Sequence, residues 1–293
     1  MGKKMNRSGR AACARDTLAK IEAGTYTING LEVDISVEQT FAVDNTKVYT
    51  PTELIELMNE PIEKNDSPTI FNVIDQTVMA ASMELLEGDE GHEAKVGCLN
   101  FASAKNAGGG VLSGAGAAEE SICRASGLYP CLEPCSTYYA TNRRTKDGVY
   151  TDHLIYSPLV PCIKNDDGCL LYEKSLVSFI TMPAVNAGVV RKRYTGDISV
   201  EQYITQIMSR RIRMVLHVAA KQGLKRLVLG AWGAGVFQND VDMIASEFAE
   251  ALQNPESPYH NVFEKVTFAV YSSNPKFIKP FNELFCEQKE ETE

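Results

Sequence analysis

The segment NAGGGVLSGAGAAEES, Asn106 to Ser121, decides the fold of this chain. Its glycine triplet, Gly108-Gly109-Gly110, leaves a stretch from Ala94 to Ala102 that reads as a strand. Glu119 and Glu120 follow after eight intervening residues, at a predicted helix start. Glycine admits positive φ and lets backbone amides approach a phosphorylated ligand with no side chain between. A strand that runs into such a loop and resumes as a helix is the unit of an open α/β sheet, in which ligands lie at the carboxyl ends of strands.

Working outward, the same alternation recurs. Ile70 to Ile74, Leu154 to Pro161 and Val177 to Pro183 are apolar runs of strand length. Ile204, Ile207, Met208, Ile212, Val215 and Leu216 mark one face of a long helix between Val200 and Gly223. That helix leads into a strand from Arg226 to Leu229 and at once into a second glycine loop, Gly230 to Gly235. Val241, Ile244, Ala245, Phe248 and Leu252 share a face of the next helix, which Asn239 or Asp240 caps. Val266 to Tyr271 supplies another strand and Pro275 to Phe285 a terminal helix. The pattern predicts a central parallel or mixed sheet covered on both faces. Residues 1–65 read as an N-terminal extension: a helix near Ala11 to Ala23, a hairpin turning at Asn29-Gly30, and a short helix from Thr52 to Asn59 behind Pro51. Residues 66–287 form the main domain, and the acidic tail after Cys286 is expected to be solvated.

Composition narrows the function classes. The 293 residues carry a formal net charge of -9, which argues against general binding to duplex nucleic acid or to an anionic membrane. Anionic ligands must be gripped locally. The first twenty residues, polar and basic, hold no secretory signal, and Asn6 stands where a myristoylation motif beginning at Met1-Gly2 wants Ser or Thr. No apolar run is long enough to span a membrane. Eight cysteines then read as reduced thiols of a cytoplasmic protein. Cys123, Cys131, Cys135, Cys162 and Cys169 fall in one region, but their spacing matches no paired metal framework and no histidine joins them. They are read as buried, inert thiols.

Neither glycine loop is a Walker motif, because no Gly-Lys-Ser/Thr follows, and neither has the full dinucleotide fingerprint. Each can be a tight turn or a phosphate cradle. Trp232 and Phe237 at the second loop favour the cradle, since an aromatic there can stack on a base, although Trp232 fits a core position equally well. Glu119 and Glu120 point about 100° apart on a helix, so different roles follow if they act on a ligand. Two acids in a first turn are also what a helix macrodipole favours with no ligand at all. Asn106 can donate to a ligand hydroxyl or shape the turn. His92, His153, His217 and His260 pair with no visible nucleophile. Arg143-Arg144 and Arg191-Lys192-Arg193 are basic patches suited to phosphates or to solvated loops.

The glycine triplet followed by paired glutamates resembles the signature of the microbial poly(ADP-ribose) glycohydrolases, and LGAWGAGVFQND, Leu229 to Asp240, resembles their second ligand-binding loop. The resemblance extends from DTLAKIEAGTY at Asp16 to the terminal helix. It implies a macrodomain-like three-layer α/β/α fold that binds ADP-ribose across both loops and hydrolyses the O-glycosidic ribose-ribose bonds of poly(ADP-ribose), with no metal or cofactor. ADP-ribosylated proteins are further implied partners. Carried over residue by residue, Glu120 is the catalytic acid and base, its pKa raised by burial, and Glu119 orients the ribose. Asn106, Gly108, Gly109 and Gly110 surround the distal ribose. Gly233, Ala234, Gly235 and Val236 wrap the diphosphate, and Phe237 lies against the adenosine. The family's Gln before the glutamates is Ala118 here, which points to two alternatives: a reader that binds ADP-ribose without cleaving it, or a hydrolase of another ADP-ribosyl linkage.

Overall fold

A computed structural model describes residues 5–86 and 95–286. Met1-Gly2, His92, Ala94 and the acidic tail lie outside the described residues. In chain order the elements are α1 (Arg7–Ala23), β1 (Thr25–Ile28), β2 (Leu31–Asp34), α2 (Ser36–Asp44), β3 (Lys47–Tyr49), α3 (Pro51–Leu57), β4 (Ile70–Ile74), α4 (Val78–Leu86) and β5 (Val96–Phe101). A 3-10 turn (Val111–Ser113) precedes α5 (Ala118–Ala125), α6 (Leu128–Leu132), α7 (Ser136–Arg144), β6 (Leu154–Lys164) and β7 (Leu170–Met182). Then come α8 (Ala187–Arg193), α9 (Val200–Lys221), β8 (Arg226–Leu229), α10 (Val241–Gln253), β9 (Lys265–Ala269) and α11 (Lys279–Phe285).

Seven strands form one sheet in the order β3-β6-β7-β5-β8-β9-β4. β7, β5, β8, β9 and β4 run parallel, and β6 lies antiparallel to both β7 and β3. Alternate residues of the strands feed two cores. Leu99, Ile180, Leu227 and Leu229 pack under α9, α10 and α11, while Cys98, Phe179 and Val228 pack under α4, α5 and α7. The result is the expected three-layer α/β/α arrangement on a mixed sheet. Because β6 opposes its neighbours, its start lies at the same edge as the ends of β5, β7 and β8, so four connections converge there.

Local sequence explains the boundaries. Asn29 and Gly30 both take positive φ, 48° and 80°, the turn geometry that a two-residue hairpin requires. Thr50 and Glu53 form a reciprocal cap ahead of Pro51, starting α3. The strand expected at Val177 begins earlier, at Leu170, because its outer half is solvent-facing and carries no apolar run. The terminal helix is split: Pro275–Phe277 forms a 3-10 turn, and α11 starts afresh with Pro280 in its first turn, where the missing amide costs nothing.

The first 65 residues do more than lie against the sheet. β3 joins it as the edge strand, Val48 opposite Ile155, and α1 packs along the 3-10 turn and α5. Three residues are too few to show a strand period in sequence. No helix among the described residues is long and apolar enough to cross a membrane. The eight cysteines form no disulfide: Cys98, Cys123, Cys131, Cys135 and Cys162 are buried. Cys169, grouped in sequence with the buried thiols, is instead exposed, because the turn that joins β6 to β7 carries it to the surface.

Candidate active site

The glycine triplet is shaped to meet the two glutamates. Gly108 and Gly109 take positive φ, 62° and 58°, and the Gly109 amide closes on the Asn106 carbonyl at 3.0 Å. This reversal aims the Gly110 amide at Glu120 Oε1, which accepts from it at 2.8 Å. Glu120 Oε2 accepts from the Ala117 amide at 3.1 Å, capping α5 one turn back. Ala117 has no hydroxyl to complete a reciprocal cap. The bland reading of an acid at a helix start is therefore half right: Glu120 caps the helix and also holds the loop.

Glu119 reaches the other way, accepting from the Ser103 amide at 2.7 Å and from Asn100 Nδ2 at 3.4 Å. Asn100 also donates to Thr181 Oγ1 at 3.2 Å, which ties the carboxylate to β5 and β7. Despite diverging at their Cα atoms, the two side chains curl toward one point. A Cβ on Gly109 would collide with Glu120 Oε1 and stand 3.1 Å from Glu119 Oε2. Only glycine leaves room there. Both glutamates are buried, 3% and 7% exposed.

Burial pushes the Glu119 carboxyl up to about 8, the neighbouring Glu120 charge adds to the rise, and the Ser103 amide and Asn100 oppose it. At neutral pH Glu119 holds a proton and carries a hydroxyl donor. The unfolded chain loses that proton near 4.5, so stability is full below that value and falls as pH rises toward about 8. In a Glu119→Gln variant this fall should disappear, read as thermal midpoints that no longer drop between about pH 5 and about pH 8. Parallel decline in both proteins would place the titrating group elsewhere.

The second loop opens from β8. Gly233 takes φ 74° against Ala184 and Asn239, and Asn239 Nδ2 donates to the carbonyls of Val185 at 2.7 Å and Gly233 at 3.1 Å. Among the described residues the amides of Gly233, Gly235, Val236 and Phe237 donate to no protein acceptor. Such a run of open amides is an anion cradle. Val236 is exposed and Ala234 is buried at its base. The Phe237 ring lies 6.0 Å from that of Tyr150, and Lys105 Nζ stands 5.9 Å from Tyr150, so one aromatic pair links the two loops.

The structure thus places Gly108, Gly109 and Gly110 with Glu119 and Glu120 beyond the end of β5, and Gly233 to Phe237 beyond the end of its parallel neighbour β8; the space between these two loops is the candidate cleft. Asn106, just ahead of the triplet, is exposed and makes no side-chain hydrogen bond among the described residues. Trp232 is fully buried and packs in the core under α9 and α10, so it cannot stack on a ligand; Phe237 keeps that possibility. Sequence reading missed Tyr150, whose φ of 63° is rare for a bulky residue. It is set by Arg211, fully buried on α9, which donates to Asp152 at 2.9 Å, Val149 at 2.8 Å and Pro183 at 3.1 Å. It also missed what the first turns of α1 do: Arg7 donates to the Ser113 carbonyl and Arg10 to that of Gly114, each at 2.9 Å, bracing the segment between triplet and glutamates. No cluster of metal-ligating side chains occurs among the described residues.

The model of the microbial-type PARG catalytic domain matches residues 14–165. Among solved structures, the poly(ADP-ribose) glycohydrolase of Thermomonospora curvata is 39% identical with a TM-score of 0.87, the match covering 95% of this chain and all, 100%, of that one. The same enzyme bound to the inhibitor ADP-HPD matches at 38% identity and TM-score 0.85, over 94% of this chain and 99% of that one. The Deinococcus radiodurans enzyme in complex with ADP-ribose matches at 37% identity and TM-score 0.75, over 88% and 98%. No curated protein sequence matches the chain significantly. With this coverage and identity, on a macrodomain-like fold, the chain belongs to the microbial-type poly(ADP-ribose) glycohydrolase family.

Proposed function

We infer that this protein binds ADP-ribose across its two glycine loops and hydrolyses poly(ADP-ribose) at the ribose-ribose bond, acting in the cytoplasm. The observation that carries this reading is the seating of two buried glutamates against Gly109, with a run of open amides on the facing loop. Residues 66–287 act as the catalytic domain, and residues 1–65 as an extension whose helix braces it and whose strand β3 completes its sheet.

Both carboxylates lie against the single residue Gly109, on one side of the glycine loop, and we assign the proton transfers to one of them. That carboxyl serves twice. Glu120 receives the proton that the buried pair holds on Glu119, gives it to the departing ribose oxygen as the C1–O bond breaks, and then takes a proton from the water that adds to C1, which restores the pair. Positive charge on the ribosyl centre is offset by the ligand's own diphosphate, fixed by the amides of Gly233 to Phe237. Glu119 hydrogen-bonds a ribose hydroxyl and aligns the sugar. Asn106 and the triplet enclose that ribose, and Phe237 with Tyr150 supports the adenosine.

Ala118 stands where the family has Gln, yet it packs against the apolar core beneath the loop, and both glutamates keep their amide partners. This favours retained hydrolysis over a reader. Incubation with poly(ADP-ribose) should release free ADP-ribose. Tight binding of ADP-ribose by calorimetry with no product from polymer would establish the reader, and product only from mono-ADP-ribosylated protein would redirect the substrate.

A further inference from the structure

The chain is acidic overall, at -9, yet cations gather on the rim of the cleft. Lys105, Arg143, Arg144, Lys146, Lys192 and Arg193 are all exposed at the edge where the connections converge. Contacts make them one arc. Arg143 Nη1 donates to the Lys105 carbonyl at 2.7 Å, and Arg193 Nη1 to the Lys146 carbonyl at 3.3 Å. Arg191 Nη1 then donates to the Gln238 carbonyl at 2.6 Å. The arc therefore starts on the first glycine loop and closes on the second, around the side marked by Tyr150 and Phe237.

Helix electrostatics accounts for part of this. α7 and α8 both end at this edge, and cations in a last turn complement the macrodipole. Lys105 and Lys146 sit in loops and have no such reason. Nearby acids are otherwise occupied: Glu201 pairs with Arg191 at 2.6 Å, and Asp147 accepts from the Val149 amide at 2.9 Å. Arg144, Lys146 and Lys192 form no ion pair among the described residues.

We propose that this arc is a second anion subsite, which takes the diphosphate of a neighbouring ADP-ribose unit when a polymer longer than one unit occupies the cleft. The proposal rests on the reading of the cleft as an ADP-ribose site. Each unit of poly(ADP-ribose) carries a diphosphate, so a chain held in the cleft presents further anions within reach of its rim. A cationic stripe on an acidic protein concentrates such a polyanion locally, in a manner that salt screens. The arc is favoured for this polymer over nucleic acid because it begins and ends on the two ligand loops.

The test compares the full-length wild type with the Arg144→Glu/Lys146→Glu/Lys192→Glu variant, all three positions lying outside the cleft. At low salt the KM for long polymer should rise about tenfold while kcat holds. The calorimetric affinity for ADP-ribose, a single unit with no neighbour, should not change, and the difference for long polymer should vanish at high salt. No change, or an equal loss of affinity for polymer and for free ADP-ribose with an unaltered melting temperature, overturns the arc. Polymer retention on filters tests it without turnover, so an inactive wild type would count against the hydrolase reading alone. Duplex DNA that binds the wild type as tightly as long polymer, and weakens equally in the variant, would make the arc a nucleic-acid surface and overturn the proposal.

Discussion

Replacing Glu120 with Gln should lower kcat on poly(ADP-ribose) by about a thousandfold while leaving ADP-ribose affinity within a few-fold of wild type. The substitution keeps the side chain's length and one amide oxygen, so Gly110 retains an acceptor. What it loses is the exchangeable proton. A carboxamide can neither protonate the departing ribose oxygen nor accept a proton from water. The new NH2 would confront the Ala117 amide, so α5 loses its cap and the protein about 1 kcal/mol of stability. Single-turnover release of ADP-ribose, with calorimetry on the same sample, checks both halves. Turnover near wild type would show that the acid is another group.

How much of this was legible before the structure depends on which interactions leave a period or a motif. The strands β5, β8 and β9 and the helices α9 and α10 were readable because each buries an apolar pattern, and β4 from its apolar run alone, since Ile70 is exposed and the rest of it half-buried. β3 and the outer half of β7 were not, one being three residues long and the other solvent-facing. The glycine loops and the glutamates were legible as a resemblance, but residue chemistry alone left them between a site and an ordinary helix start. Long-range placement resolved that: Gly109 lies against both carboxylates, a contact across ten residues that no spacing rule announces. Arg211 was invisible for a related reason. An arginine on a helix is ordinarily at the surface, and its burial depends on carbonyls from two separate loops arriving beside Asp152. The braces from Arg7 and Arg10 likewise span more than a hundred residues of chain. In the structure burial raises Glu119, whose pocket between β5 and β7 is closed by Asn100 and Thr181.

Gly109→Ala should cost about 1–3 kcal/mol of stability and lower activity about a hundredfold, an effect larger than backbone strain alone produces. Two penalties add at this position. Its φ of 58° disfavours any Cβ, and the Cβ would fall onto Glu120 Oε1. The carboxylate has no free route of escape, because moving it breaks its bonds to the Gly110 and Ala117 amides, and Glu119 on the other side is pinned to Ser103 and Asn100. Unmaking a buried charge-assisted hydrogen bond costs more than a small shift of the loop, so the triplet itself must open and misplace both acids. Gly30→Ala separates the two effects. Its φ of 80° carries the same backbone penalty, but nothing lies within 4 Å of a Cβ there, in a hairpin away from the cleft. That variant should lose about 1 kcal/mol and keep full turnover. Thermal melts and initial rates on both proteins decide the matter: equal activities would mean that the glutamates adjust freely, and that their seating against Gly109 does not set the chemistry.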